Sequence, residues 1–233
     1  MIPISSWYPR LGVYTFPTVF IALPDDEVRA LIEGCNEKSA VVRRTVGRLR
    51  QGMKSLPGAS FVGTDLCAPT DSELFGGGSR AVYGIRAWRL LQTSEKVRAV
   101  LESGATNTVI VRPYRRMTTV REFRLFFKGR ELKAMSQMNL ERHFVRLALR
   151  EGELWSMACE FAEAIAALLP EEDCVVDIYF TSSDRIMIVD MNSWGPPTEP
   201  LLLRTWDRDW AERVGIKLIP PPVKMGGDVS VSF

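Results

Sequence analysis

At 233 residues, with 46% hydrophobic and 25% charged side chains, the chain has enough apolar content for one large domain or two closely packed lobes. Thirty basic residues against 28 acidic ones leave a formal charge of +2, which gives no global electrostatic case for nucleic acid or a membrane surface. One histidine, His143, excludes histidine triads and His-rich metal sites, and Cys35, Cys67, Cys159 and Cys174 lack the CxxC spacing of a zinc site or a disulfide framework. Dispersed cysteines, no apolar run of membrane-spanning length and no signal-like start point to the reducing cytoplasm.

The first expected element is an extended apolar segment over residues 13–23, stopped at Pro24. Asp25 and Asp26 offer an N-cap for a helix whose Val28, Leu31 and Ile32 have helical spacing. Residues 36–54 carry Arg43, Arg44, Arg48 and Arg50, for which a solvated helix face is the ordinary explanation. Phe61 and Val62 open a short strand leading to Cys67-Ala68-Pro69-Thr70-Asp71. Gly76-Gly77-Gly78, with Ser79 and Arg80, is a loop whose backbone N–H groups can approach a phosphate, although a bare glycine triplet is more often a plain loop.

Ser94 caps an expected helix over Glu95–Glu102, and Thr108, Val109, Ile110 and Val111 form a strand over 107–112 stopped at Pro113. Residues 122–127 and 132–137 suit an antiparallel pair turning at Gly129. A helix over 151–169, ended by Pro170, buries Trp155, Ala158, Phe161, Ala162 and Ile165. Two strands then carry Asp177 and Asp190-Met191-Asn192 on either side of Thr181-Ser182-Ser183-Asp184. The stretch Pro220-Pro221-Pro222 is expected to be irregular. Strands and helices do not alternate regularly, which favours α+β over a doubly wound sheet.

That last hairpin carries the chemistry. With Ser183-Asp184 at the loop centre, Asp177 falls opposite Asp190, and Asn192 shares the Asp190 face because side chains alternate along a strand. Aspartate is depleted inside strands, and like charges at opposed positions repel. Two carboxylates and an amide oxygen on one face suit Mg²⁺, which keeps positions for water and phosphate. Arg112, Arg115, Arg116, Arg121 and Arg124 cluster with Glu122 nearby, and arginine is suited to bidentate phosphate recognition. Together these residues describe a polyphosphate and magnesium site, without a P-loop or GxGxxG fingerprint.

Short pieces along nearly the whole chain resemble the cell division cycle protein 123 (D123) family. Trp7-Tyr8-Pro9 is similar to its opening, and Phe16-Pro17 and Leu23-Pro24 to the segment that follows. Cys67-Ala68-Pro69-Thr70-Asp71 resembles its Ser-Ala-Pro-x-Asp element, and Glu122-Phe123-Arg124, Ser136-Gln137, Asp177-Ile178-Tyr179 and Asp190-Met191-Asn192 resemble later signatures. The resemblance implies an ATP-grasp fold with two α+β lobes, residues 1–106 and 107–233, and a nucleotide cleft between them. It implies Mg²⁺ on Asp177, Asp190 and Asn192, and ATP contacts from Arg80, Arg112, Glu122, Arg124 and Gln137.

The chain departs from the family pattern at Gly63 and Pro113, where the family has lysines, at Met138, where it has an arginine, and at Arg80, where it has a lysine. Phosphate binding is then expected to weaken or to shift onto Arg115 and Arg116. The implied function is ATP–Mg²⁺ binding by an assembly chaperone for the gamma subunit of eukaryotic translation initiation factor two. The alternative is a carboxylate–amine ligase that forms an acyl phosphate on a peptide or small molecule. Trp7 and Tyr8 are candidates for a partner surface, with core packing in the first lobe the commoner use of such residues.

Overall fold

Two sheets, each with helices on one face, make the protein α+β; the computed structural model describes residues 1–75 and 80–222. The chain opens with α1 (Ile4–Leu11) and β1 (Val19–Ala22), then α2 (Asp25–Glu33) and α3 (Ala40–Lys54). Next come β2 (Ser60–Thr64), β3 (Arg80–Ala81), α4 (Gly84–Gln92), α5 (Glu95–Glu102) and β4 (Thr108–Pro113). The four strands form an antiparallel sheet in the order β1-β4-β2-β3. Val62, Val109 and Val111 of this sheet pack with Leu31, Leu49 and Trp88 of the helices.

The basic stretch before β2 does more than face water. Ser39 caps α3 through its hydroxyl, and Arg44 and Arg48 on one helix face both bond to Glu27, whose side chain is wholly buried. A buried carboxylate needs such partners, because an unpaired charge there is strongly destabilising. At α2 the helix starts directly after Pro24, so Asp25 and Asp26 lie in its first turn, where they favour the positive end of the helix dipole.

The second sheet is built from β5 (Glu122–Lys128), β6 (Glu131–Gln137), β7 (Cys174–Phe180), β8 (Ile186–Ser193) and β9 (Gly215–Lys217), in the order β8-β7-β5-β6-β9. Only β9, which runs parallel to β6, breaks its antiparallel pattern. Gly129 and Arg130 both have positive φ, the twist a two-residue hairpin turn requires between β5 and β6. Helices α6 (Val145–Leu149) and α7 (Glu151–Ile165) follow β6, and a 3₁₀ turn at Ala166–Leu168 takes up the rest of the expected longer helix. Alternation along β5 sends Phe123, Leu125 and Phe127 into a core with Leu154, Ala158 and Ile165 of α7. The opposite face carries Glu122, Arg124 and Asp177. Its far end is covered by Trp194, Trp206 and Trp210 over Phe126 and Val175.

The lobes do not divide at residue 106. Strand β4 hydrogen-bonds to β1 on one side and β2 on the other, which makes it an interior strand of the first sheet. Helix α1 in turn packs on the second core, where Trp7 and Leu11 are fully buried against its phenylalanines. Trp7 is therefore unavailable to a partner, and the core it joins is that of the second lobe. Tyr8 is half-buried, with its hydroxyl accepting from the Thr18 N–H at 3.0 Å and its ring edge-on to Phe20. Residues Gly76, Gly77, Gly78 and Ser79 lie outside the described residues, and Pro220–222 is irregular as expected. Among the described residues, no helix is long and apolar enough to cross a membrane.

Candidate functional site

Asp177 and Asp190 are register partners across β7 and β8. The expected pairing is present, but the turn alone does not produce it. Near the turn, Phe180 pairs with Ile186, Tyr179 with Met187 and Ile178 with Ile188, a register that would bring Val189 opposite Asp177. One extra residue, Val189, is bulged out of β8, and Asp190 arrives opposite Asp177 instead. The two carbonyls at the bulge are held from the amino-terminal half of the chain. Thr15 Oγ1 donates to the Ile188 carbonyl at 2.7 Å, and Arg112 Nη1 donates to the Val189 carbonyl at 2.9 Å.

The two aspartates have different electrostatic surroundings. Arg124, opposite Asp177 on β5, grips its carboxylate through Nε and Nη2, and its Nη1 donates to the Glu199 carbonyl at 2.8 Å. Asn192 Nδ2 donates to Asp177 Oδ2 at 3.3 Å. Asp190 accepts the Met191 N–H at 2.9 Å and has no ion pair among the described residues. Desolvation, followed by the charge of Asp177, pushes its carboxyl up to about 7. Burial and then Asp177 likewise raise Glu122, which also has no ion pair among the described residues. Three carboxylates thus meet on this face, with Arg124 paired to Asp177 and Arg112 close enough to Asp190 to lower its carboxyl against the burial. The Asp177 and Asp190 carboxylates and the Asn192 amide are oxygen donors of the kind Mg²⁺ takes, with both Asp177 oxygens already bonded to Arg124.

A cavity of about 480 Å³ lies between the two sheets, within the size range of small-ligand sites. Ile4, Phe16, Phe61 and Ile110 give it apolar walls suited to a flat ring. Arg115, Arg116, Glu122 and Asp190 supply its charged side.

The expected site residues are distributed unevenly around this cavity. Glu122, Asp190 and part of Arg112 line it, while Arg124, Asp177 and Asn192 continue along the same sheet face. Arg112 is only 5% exposed: Nε donates to Thr18 Oγ1 at 3.0 Å, Nη1 holds Val189, and the guanidinium lies 5.9 Å from the Trp7 ring centre. Arg80 pairs with Phe61 on β3 but is exposed and is not among the lining residues. Gln137 is not brought to the cavity. Its Nε2 donates to the carbonyls of Asn139 at 2.5 Å and Arg142 at 2.8 Å, and its Oε1 accepts from the Ile219 N–H at 3.3 Å, so the amide is spent tying down the chain around β6.

Two further positions explain departures from the family pattern. A Cβ on Gly63 would sit 2.9 Å from the Cys67 carbonyl oxygen, so this backbone has no room for a side chain there. Arg115 and Arg116 follow Pro113 into the cavity wall, where they supply cations. The Cys67–Asp71 signature serves the fold and the cavity together, since Cys67 and Ala68 are lining residues. Thr64 Oγ1 accepts the Cys67 N–H at 2.9 Å, and Asp71 anchors the start of α5 by accepting from Ser94 Oγ at 2.6 Å and the Lys96 N–H at 3.0 Å. The lining contributed by Ile4 and Phe16 was not foreseen, because no local pattern marks apolar residues that reach a cleft through tertiary packing.

A family model described as D123 matches residues 55–211, more than half of the chain. The chain belongs to the D123 family. Curated D123 relatives include the "Translation initiation factor eIF2 assembly protein" of Danio rerio, 30% identical over 100 residues, 42% of this chain and 28% of that protein. "Cell division cycle protein 123" of Yarrowia lipolytica is 26% identical over 114 residues, 48% of this chain and 29% of that protein. The aligned stretches therefore span less than a third of these relatives' length. The solved structure of Cdc123 from Schizosaccharomyces pombe superposes with a TM-score of 0.81 at 21% identity, covering 94% of this chain and 95% of that one. The chain shares that fold.

Proposed function

We propose that this D123 protein binds ATP with Mg²⁺ in the cavity between its lobes, an ATP-grasp-like use of the fold, and acts in assembly of translation initiation factor two as its relatives' names describe. The observation that carries the reading is the opposed pair Asp177 and Asp190, with Asp190 in the cavity wall beside Glu122, Arg115 and Arg116. Asp177, Asp190 and Asn192 would hold the metal, which would supply positive charge against the phosphates. Arg115 and Arg116, in the cavity wall, would meet the phosphates, and the apolar walls would enclose the base. Arg124 acts mainly by fixing the Asp177 carboxylate, since two of its nitrogens are committed there.

ATP in this role is a ligand that stabilises one arrangement of the protein and with it a partner surface. The partner proposed is the gamma subunit of the factor, and the compartment the cytoplasm, where four free cysteines are at home. The test is capture of purified gamma subunit by the immobilised protein. ATP with Mg²⁺ should strengthen it, and Asp190→Ala should remove that gain. Capture indifferent to nucleotide contradicts the proposal. Release of ADP and phosphate only when a carboxylate and an amine are both supplied would replace it with the ligase alternative.

A further inference from the structure

The bulge at Val189 decides whether the metal site exists at all. Without that extra residue, alternation along β8 would bring Val189 opposite Asp177 and turn the Asp190 side chain to the other face of the sheet. A bulged residue leaves its backbone groups out of the ladder, and a conformation of that kind persists only when its surroundings hold it. Here the Val189 carbonyl is held by Arg112, which belongs to β4 of the opposite lobe.

Arg112 is itself fixed at several points. Its Nε is bonded to Thr18 Oγ1, its face lies against Trp7, and its Nη1 is committed to Val189. The remaining nitrogen, Nη2, is sealed from solvent and has no hydrogen-bond partner among the described residues. An arginine with a donor left unsatisfied in a dry site is a costly choice for packing alone. Its fork is the feature a lysine cannot copy, because two separated acceptors, Thr18 Oγ1 and the Val189 carbonyl, must be reached at once.

We propose that Arg112 is the positioning residue of the metal site, acting on Asp190 through the Val189 carbonyl and joining the first lobe to the metal ligands of the second. It acts on Asp190 through the backbone, although part of its side chain also borders the cavity. This rests on the reading of the cleft as an ATP–Mg²⁺ site.

The test is ATP affinity by calorimetry, with EDTA and with Mn²⁺, for the wild type, Arg112→Lys and the milder Thr18→Val, with the Mn²⁺ affinity of each ATP complex read by electron paramagnetic resonance. Arg112→Lys should lose about 10–100-fold in Mn²⁺ affinity, the usual cost of removing an outer-shell partner, while metal-free ATP affinity is little changed. Thr18→Val should shift the same quantity in the same direction by less. On an Asp190→Ala background, which leaves no oxygen donor at that position, Arg112→Lys should cost nothing further in Mn²⁺ affinity. Unchanged Mn²⁺ affinity in folded Arg112→Lys and Thr18→Val overturns the inference and leaves Arg112 as packing. An equal fall in metal-free ATP affinity also overturns it, making Arg112 a direct nucleotide contact. Wild type that binds no ATP with or without Mn²⁺ overturns the ATP–Mg²⁺ reading and this inference with it.

Discussion

Arg124 and Asp177 face each other across β5 and β7 and are joined by two parallel hydrogen bonds, Nε to Oδ1 at 2.7 Å and Nη2 to Oδ2 at 2.8 Å. Both side chains are largely buried, at 10% and 15% exposed, so each charge depends on the other. Replacing Arg124 with leucine leaves Asp177 uncompensated beside Asp190 and Glu122. Stability should fall by about 3–5 kcal/mol, the usual cost of breaking a buried pair from one side. Urea denaturation followed by circular dichroism measures this. Arg124→Lys should recover part of the loss, because it keeps the charge but not the fork.

The position of the missing family lysine yields a second expectation. Gly63→Lys should not restore phosphate affinity. Its Cβ alone meets the Cys67 carbonyl oxygen at 2.9 Å, and overpacking of this kind costs about 1–3 kcal/mol. Gly63→Ala should show most of that destabilisation, since the clash begins at Cβ. A folded Gly63→Lys variant with wild-type stability and tighter ATP binding would show that the 67–68 backbone yields easily.

Arg115 and Arg116 supply the cations on the cavity wall next to Pro113. Charge-assisted hydrogen bonds contribute about 1.5–3 kcal/mol each when well formed. The double variant Arg115→Ser with Arg116→Ser should therefore weaken ATP at least about tenfold and AMP far less. The salt dependence of ATP binding should flatten with it. Equal losses for ATP and AMP would place these arginines at the nucleoside instead.

The raised carboxyl of Asp190 fixes the sign of a pH effect. Its folded-state value of about 7 lies above the ordinary 3.8, so the folded metal-free protein holds this proton more tightly than the unfolded chain. The stabilising contribution is full below about pH 4 and is lost as pH rises through about 7. Glu122 is shifted in the same direction and adds to the trend. In EDTA, Asp190→Asn should lose less stability than the wild type between those limits. A wild-type curve parallel to that of Asp190→Asn over this window would show that Asp190 is not shifted in this way.

Much of this was legible in the sequence where local rules act. The turn at Gly129 marked the β5–β6 pair, Ser94 marked the start of α5, and two aspartates inside apolar runs marked the pair that meets across β7 and β8. What was not legible depends on long-range packing. Trp7-Tyr8-Pro9 gives no sign that Trp7 crosses to the second core, and the 107–112 strand looks the same whichever sheet receives it. Gln137 resembles a cleft residue in sequence, yet its amide is used by backbone groups of Asn139, Arg142 and Ile219. The bulge is the clearest case. The pairing of Asp177 with Asp190 was expected from a symmetric turn, whereas it arises from one extra residue, Val189, with its carbonyl held by the other lobe.

Nucleotide binding through Asp190 is tested by a thermal-shift titration with ATP, ADP, AMP and GTP, with and without Mg²⁺, on the wild type and Asp190→Ala. Binding to the folded state alone raises Tm by mass action, by an amount that grows with ligand concentration over Kd. ATP should raise the wild-type Tm when Mg²⁺ is present, and the Mg²⁺-dependent part should vanish in Asp190→Ala. No shift with any nucleotide, or an ATP shift that is the same in Asp190→Ala, would contradict it.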